Sequence, residues 1–390
     1  MDLTEWRQDT PACEGLIHFN NAGASLMPKP VQKAMFDHWQ LESAAGGYEA
    51  ADLCQESIRG FYEAAARLLK GSASNIAFTS SATNSFARAL SCIPFKRGDK
   101  ILIANEDYIS NQLAFLSLKK RLGVEIIRAS SLPEGGIDPD DAKRLMDEHK
   151  PVLVSVSHVP TNSGLVQPVE LIGQICRERD IVYLVDACQS AGQLTLDVNK
   201  IHCDFLSATF RKFLRGPRGA GFLYVGDRIL KKGWEPLFID MRGATWSSAD
   251  QYQARPDALR FEDWEIPYAL MFGAKAAIEY TLEIGLPEIE KRNAALASLL
   301  RDQLNNIGLA PLDKGKKLSS IITVYHPGWN NGALMDSLHV KKINASISHG
   351  DYAVIDFKRK NVPWALRLSP HYYNTEAEVG RAVEALKGLI

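Results

Sequence analysis

Lys212 lies in the stretch Phe205-Leu-Ser-Ala-Thr-Phe-Arg-Lys-Phe-Leu-Arg-Gly-Pro-Arg-Gly-Ala-Gly-Phe-Leu-Tyr-Val225, which runs apolar strand, polar turn, lysine, Gly/Pro loop, apolar strand. A hydroxyl (Thr209), two further cations (Arg211 and Arg215) and a glycine-rich backbone neighbour it in the chain. Cationic neighbours depress an amine's pKa, which leaves more of it neutral and nucleophilic. That is the setting of a lysine whose amine forms a Schiff base, with a phosphate held beside it. A solvated basic loop has the same composition, so this segment alone leaves both readings open.

In open α/β sheets ligands gather beyond the carboxyl ends of the strands, and further polar groups fall at such ends. Asp186 closes Ile181-Val-Tyr-Leu-Val185. A carboxylate on a buried strand end must be paired; a pyridinium nitrogen would pair it and stay protonated, making that ring an electron sink. Gln189, one turn on, could reach the ring's phenolic oxygen. An Asp that caps the next helix is the alternative. Ser80-Ser-Ala-Thr-Asn-Ser85 stands between strand Ile76–Thr79 and a helix carrying Phe86 and Leu90. Small residues there offer free N–H groups to a phosphate, and equally make an ordinary N-cap. Glu106-Asp-Tyr-Ile-Ser-Asn111 puts Tyr108 where an aromatic could stack on a flat cofactor; a core tyrosine is the alternative. Ser157-His-Val-Pro-Thr-Asn-Ser-Gly164 follows strand Val152–Val156, and there Thr161 or Asn162 could hydrogen-bond the cofactor or substrate.

The elements that position these groups alternate from about residue 60 to residue 225. Strands are expected at Ile76–Thr79, Lys100–Ala104, Glu125–Arg128, Val152–Val156, Ile181–Val185 and Gly221–Val225, with helices such as Asn111–Leu122 and Pro168–Arg179 between them. Strands apolar on consecutive residues predict an α/β fold, a mostly parallel sheet covered by helices on both faces. After about residue 265 the pattern changes. Helix Ala269–Ile284 ends at Gly285; a second, opened by Pro287, carries Ile289, Leu296, Leu300 and Leu304 and stops at Gly308. Strands Ser320–Tyr325, Lys342–Ile347 and Ala365–Ser369 then mix with helices Gly332–His339 and Glu376–Leu389, as in a smaller α+β C-terminal domain.

Composition excludes other classes. With 390 residues, 46% apolar and 23% charged, the chain has room for two domains with substantial cores. A net charge of −1 argues against broad attraction to nucleic acid or a membrane surface. No apolar run approaches a bilayer span, and Met-Asp-Leu-Thr-Glu-Trp-Arg is not a secretory leader. The six cysteines stand singly, which predicts reduced thiols in a cytoplasmic protein and no metal site.

Taken together, the order phosphate loop, stacking aromatic, strand-end turn, Asp-x-x-Gln, then Thr-x-x-Lys before Gly-Pro-x-Gly resembles the class V aminotransferase family of pyridoxal 5'-phosphate enzymes. The likeness runs from Phe19-Asn-Asn-Ala-Gly23 to Arg367-Leu-Ser-Pro-His-Tyr-Tyr-Asn-Thr375. It implies the type I PLP-dependent transferase fold, with residues 21–265 as the large PLP-binding domain and 1–20 with 266–390 as the small α+β domain. It also implies a homodimer acting on a small amino-acid substrate, with Arg242-Gly-Ala-Thr-Trp246 a candidate partner-facing segment. By that likeness Lys212 carries the cofactor and moves the proton at the substrate's α-carbon. Asp186 holds the pyridinium, Tyr108 stacks on the ring, and Ala82, Thr83, Thr209 and Arg211 bind the phosphate. Gln189 and Asn162 complete the cofactor set; Arg367 takes the substrate carboxylate as a bidentate pair, and Asn21 lines the substrate side.

Two departures narrow the branch. Cysteine desulfurases of this family carry histidines where this chain has Tyr108 and Arg211, and attack the substrate sulfur with a cysteine on a loop before the carboxylate-binding arginine. Here Ile347–Pro363 contains no cysteine. Tyr108, Arg211, Gly46-Gly-Tyr-Glu-Ala-Ala51, Gly216-Pro-Arg-Gly219 and Ser369-Pro-His371 resemble the branch of hercynylcysteine sulfoxide lyase, from ergothioneine synthesis, and of isopenicillin-N-epimerase-like proteins. Where that lyase has a basic Ser-His-Arg-Gly, this chain has Thr161-Asn-Ser-Gly164. The expected function is a PLP-dependent carbon–sulfur lyase acting on an S-substituted cysteine or its sulfoxide, with Tyr108 as acid to the leaving group. Epimerisation or racemisation and transamination are the alternatives, because all pass through the same carbanion. Intact Lys212, Asp186 and Arg367 count against a scaffold kept only for binding.

Overall fold

The computed structural model describes residues 2–390. Seven strands form one sheet: β1 Ile76–Thr79, β2 Lys100–Ile103, β3 Glu125–Arg128, β4 Leu153–Ser157, β5 Val182–Asp186, β6 Phe205–Thr209 and β7 Gly221–Val225. Their spatial order is β1-β7-β6-β5-β4-β2-β3. The run from β3 to β6 is parallel, and β7 is antiparallel to β6 and to β1. Helices cover both faces, so the expected α/β architecture is the one the chain adopts.

Alternate residues of each strand enter different cores. Leu102, Val154, Val156, Val185, Leu206 and Phe222 belong to one, and Ile101, Ile103, Leu153, Leu184, Phe205 and Leu223 to the other. Two buried faces disfavour large polar residues mid-strand, which explains the consecutive apolar residues. Small serines interrupt the runs at Ser155 and Ser207, and the carboxyl ends carry Ser157, Asp186 and Thr209, all of them buried.

The helices that matter for the site are α1 Lys29–Ala45, α2 Ala82–Ser91, α3 Ile109–Leu122, α4 Tyr268–Ile284, α5 Leu286–Asn306, α6 Val354–Lys360 and α7 Glu376–Lys387. Met271, Ala274 and Ile278 of α4 enter the large core. Leu296, Leu300 and Leu304 of α5 join Ile17, Phe19, Ile322, Leu366, Leu368, Val379 and Leu386 in a separate one. There an antiparallel sheet places Trp364–Leu368 between Ile322–Val324 and Ser346–His349.

The chain departs from the sequence expectation in two places. Lys342–Ile347 is not one strand: Ile343–Asn344 pairs in parallel with Ile17–His18, and Ser346–His349 pairs with Trp364–Leu368. The run serves two different sheets, so it breaks at Ala345. Residues 244–254 form a hairpin, Ala244–Ser248 with Gln251–Ala254, and Trp246 stands opposite Tyr252. Its strands are short, polar and largely exposed, so no apolar alternation announces them. No helix among the described residues is long and apolar enough to cross a membrane.

Candidate active site

The turns that follow β2, β4, β5 and β6 meet at one end of the sheet. Lys212 stands on the turn after β6. Gly192 allows that turn to seat itself: its φ is +89°, and a Cβ there would lie 2.5 Å from the Phe213 backbone. Lys212 is only 6% exposed. Burial drives its amine below the ordinary lysine range; Arg211 and Arg367 push the same way, against the Cys188 thiol and Asp186. Its Nζ lies 5.7 Å from the centre of the Tyr108 ring.

Arg215 departs from the expected cationic cluster. It takes a left-handed conformation, φ +59°, at the end of a turn in which its N–H donates to the Lys212 carbonyl at 2.9 Å. Its side chain leaves the site for a cage of aromatic rings, with the guanidinium carbon 4.2 Å from the centre of Tyr373 and 5.2 Å from that of Tyr372. It donates to the Leu26 carbonyl, the Tyr372 hydroxyl and the Thr10 hydroxyl. Arg211 is therefore the cation that faces Lys212.

Asp186, at the end of β5, accepts the Cys188 N–H at 2.9 Å on one oxygen and the Asn111 amide at 2.9 Å on the other. The same Asn111 nitrogen donates to Asp107 at 3.0 Å, and the Ser157 hydroxyl donates to Asp107 at 2.5 Å while lying 3.5 Å from Asp186. Asn111, Asp107 and Ser157 were not among the expected site residues. Asn111 stands three residues after Tyr108 on the first turn of α3, so the helical repeat puts both on one face.

Around Arg367 the outcome is mixed. Its guanidinium donates to the Thr161 hydroxyl at 2.8 Å and to Asn20 Oδ1 at 3.2 Å, while its Nε is buried without a partner. Burial lowers its pKa to about 10, helped by Arg211. Gln189 donates to the Ala22 carbonyl at 3.0 Å and to the Thr161 hydroxyl at 2.7 Å, and its Oε1 is left buried and unpaired. Asn162 points elsewhere, donating to the Tyr352 carbonyl at 3.1 Å; its neighbour Thr161 is the residue that faces Arg367 and Gln189. Asn21 likewise does not reach the site. Its amide is used by the His18 and Ser369 carbonyls and the Tyr373 hydroxyl, so it pins the N-terminal turn while Asn20 faces Arg367.

The expected phosphate residues gather around Gly221. In register Gly221 opposes Thr79 on one side and Thr209 on the other. A Cβ on it would lie 2.6 Å from Ser81 C and 2.8 Å from Ala82 N, so glycine is what lets β7 approach the start of α2. Ser81 caps that helix by accepting the Asn84 N–H at 3.1 Å. The N–H groups of Ala82 and Thr83 remain without an intrahelical acceptor. Thr209 donates to the Ala220 carbonyl at 3.3 Å, and the Arg211 guanidinium reaches across to the Gly23 carbonyl on the N-terminal turn.

These residues fit pyridoxal phosphate. Free helix N–H groups beside Thr209 suit its phosphate, Asp186 suits the ring nitrogen, and Tyr108 offers a ring face. Lys212 is a buried amine whose pKa desolvation drives down, and the unpaired Gln189 Oε1 and Arg367 Nε are polar atoms that a bound group would satisfy. Among the described residues no group of three or more His, Cys, Asp or Glu is placed to hold a metal.

The chain is 28% identical, over all of its length and 99% of the relative's, to a probable cysteine desulfurase of Methanothermobacter thermautotrophicus. A probable cysteine desulfurase of Pyrococcus abyssi is 29% identical over 98% of this chain and 96% of its own. The apo structure of cysteine desulfurase from Thermococcus onnurineus NA1 superposes with a TM-score of 0.92 at 27% identity, covering 99% of this chain and 98% of that one. The sequence profile of the family described as aminotransferase class-V matches residues 17–382. Fold, site and profile agree: this chain belongs to the class V aminotransferase family and is an enzyme that uses pyridoxal 5'-phosphate.

Proposed function

We propose that the enzyme is a carbon–sulfur lyase that expels the sulfur group of an S-substituted cysteine, or of its sulfoxide, by β-elimination. The relatives above bear the name cysteine desulfurase, which supports chemistry on a cysteine-like substrate. What separates this chain from a desulfurase is its thiols. Segment Ile347–Pro363 has no cysteine, and Cys188, beside Asp186, is buried with its thiol pushed well above the ordinary range. A thiol held protonated cannot attack sulfur, so no persulfide route is open there.

In this reading Arg367 fixes the α-carboxylate through its guanidinium, held in place by Thr161 and Asn20. Lys212 Nζ takes the proton from the substrate Cα; its burial keeps enough of the amine neutral to act as base. Bound pyridoxal phosphate supplies an electron sink for the charge left at Cα. The Cβ–S electron pair leaves with sulfur, which takes a proton from the Tyr108 hydroxyl. The freed 2-aminoacrylate hydrolyses to pyruvate and ammonia. Asp186 would hold the ring nitrogen, the Gln189 amide would meet the ring's oxygen, and Ala82, Thr83, Thr209 and Arg211 would hold the phosphate. The same reading assigns the chain to the branch of hercynylcysteine sulfoxide lyase and the isopenicillin-N-epimerase-like proteins.

A homodimer is part of the same proposal. Leu237 and Phe238 (70% and 84% exposed) and Met241 and Trp246 (67% and 79%) are the apolar surface it would cover. So are the division into residues 21–265 and 1–20 with 266–390, and a cytoplasmic setting for six unpaired cysteines.

The test is product analysis by NMR after incubating PLP-loaded protein in heavy water with an S-substituted cysteine sulfoxide and with plain amino acids. Pyruvate from the cysteine derivative is expected. Deuterium at the α-carbon without elimination would sink the lyase reading in favour of epimerisation or transamination.

A further inference from the structure

Asp186 does not stand alone. Asp107, on the loop between β2 and α3, is a second carboxylate, joined to it by the shared Asn111 amide and with the Ser157 hydroxyl lying between them. The Asn111 amide nitrogen gives one hydrogen to each carboxylate, at 2.9 Å to Asp186 and 3.0 Å to Asp107. The Ser157 hydroxyl sits between the same two oxygens, 2.5 Å from Asp107 and 3.5 Å from Asp186. Asp107 is completed by its neighbour's N–H, from Tyr108 at 2.7 Å, and by the Gln112 amide at 2.9 Å on its other oxygen. Arg128 donates to Gln112 at 3.0 Å from outside. Two like charges share an arrangement that hydrogen bonding alone did not require, because Asn111 and Ser157 could satisfy either one.

Such a pair matters for what Asp186 holds. A carboxylate that faces a pyridinium stabilises its proton according to the negative charge nearby and the fixity of its orientation. We propose that Asp107 is a positioning residue for the cofactor: through Asn111 and Ser157 it fixes the Asp186 carboxylate and sets a second negative charge behind it, so that the bound ring's nitrogen keeps its proton. Desolvation pushes Asp107 up to about 6, and Asp186 adds to the rise, while the hydrogen bonds from Ser157, Asn111 and Gln112 pull it down. At neutral pH the balance leaves Asp107 mostly charged, as the role needs. The inference rests on the cofactor and not on which bond the enzyme breaks.

Asp107→Asn tests it. The Asn oxygen can still accept from Ser157, Asn111 and the Tyr108 N–H, and the Gln112 amide can turn to accept from the new NH2 at the cost of its exposed bond from Arg128, so the contacts that face Asp186 survive while the charge goes. The readout is the nitrogen-15 signal of ring-labelled pyridoxal phosphate on the loaded enzyme, followed through pH. The Asp107→Asn signal is expected to move toward the unprotonated position, with about a tenfold loss of proton affinity. Gln112→Ala removes a hydrogen bond that holds the Asp107 pKa down, so it is compared at alkaline pH, where Asp107 stays charged, and there it is expected to leave the signal where the native enzyme has it. An Asp107→Asn signal that coincides with the native one, or an equal shift in Gln112→Ala, overturns the proposal. If Asp107→Asn does not fold, the native protein carries the test, because coupling is reciprocal. The carbon-13 titration of Asp107 must then lie at lower pH with pyridoxal phosphate than with its 1-deaza analogue, which lacks the ring proton. Identical titrations with the two overturn it.

Discussion

Two buried cations, Lys212 and Arg215, lie three residues apart in sequence, and neither leans on a carboxylate partner of its own. Each nitrogen of the Arg215 guanidinium is satisfied: it donates to Leu26, Tyr372 and Thr10, and rings pack on its faces. Around Lys212 and Arg367 the demand is left open, with Arg367 Nε and Gln189 Oε1 buried and unpaired. Buried polar groups are expensive unless satisfied, so completeness marks a structural pin and incompleteness marks a place kept for a ligand. Both regions tie the N-terminal turn to the body of the protein, through Arg215 to Leu26 and through Arg211 to Gly23. Only one of them does so while leaving its own polar atoms unpaired.

Substitutions should therefore fail in opposite ways. Lys212→Ala is expected to lower turnover by roughly four orders of magnitude, near the upper end of a positioned base's contribution. The loaded protein should lose the yellow colour that hydroxylamine bleaches in the native enzyme. Its melting temperature should hold or rise, because a desolvated amine is removed. Native turnover should climb as pH rises through the depressed Lys212 pKa, since the neutral amine is the base. Equal colour and activity in Lys212→Ala would undo the assignment.

Arg215→Ala inverts that pattern. It empties the aromatic cage and strands the Tyr372 hydroxyl and the Leu26 carbonyl, so unfolding by denaturant should show a loss of roughly 3 kcal/mol. Turnover per folded molecule should stay near native. A variant that melts normally but is inactive would mean that Arg215 belongs to the site after all.

Arg367→Lys is the intermediate case. An ammonium cannot reproduce the guanidinium fork, and loss of one charged hydrogen bond corresponds to about a hundredfold in kcat/KM. The loss should appear with every α-amino acid and disappear for amines that lack the carboxylate. A uniform loss for both would make Arg367 a packing residue.

Much of this was legible in the chain, for a physical reason. Asp186, Gln189, Lys212 and Tyr108 follow strands of a parallel sheet, and in such sheets the carboxyl end has one possible place. What could not be read was which of two neighbours in an irregular turn faces inward. Thr161 rather than Asn162, and Asn20 rather than Asn21, are decided by local backbone angles that no periodicity reports. Arg215 sits near Lys212 in sequence, yet the left-handed residue at that turn sends the two side chains apart. Asn111 carried a signal, its three-residue spacing from Tyr108 at a helix start, which becomes useful once the start of α3 is known. The hairpin at 244–254 gave none, because its exposed polar strands bury nothing.

The smallest expected effect draws the finest line, at Cys188. Its N–H donates to Asp186 and its thiol, buried against that carboxylate, stays protonated. A nucleophile needs the thiolate and a path to the substrate sulfur, and this thiol has no thiolate to offer. Cys188→Ala keeps the backbone N–H and removes only the sulfur, so turnover of an S-substituted cysteine should stay within about twofold of native, a change of less than 1 kcal/mol in the barrier. Were sulfur transfer to a protein thiol the chemistry, the same substitution would abolish it, because Ile347–Pro363 has no cysteine to take over. Steady-state rates of the two proteins on one substrate thus separate an enzyme that expels sulfur from one that accepts it.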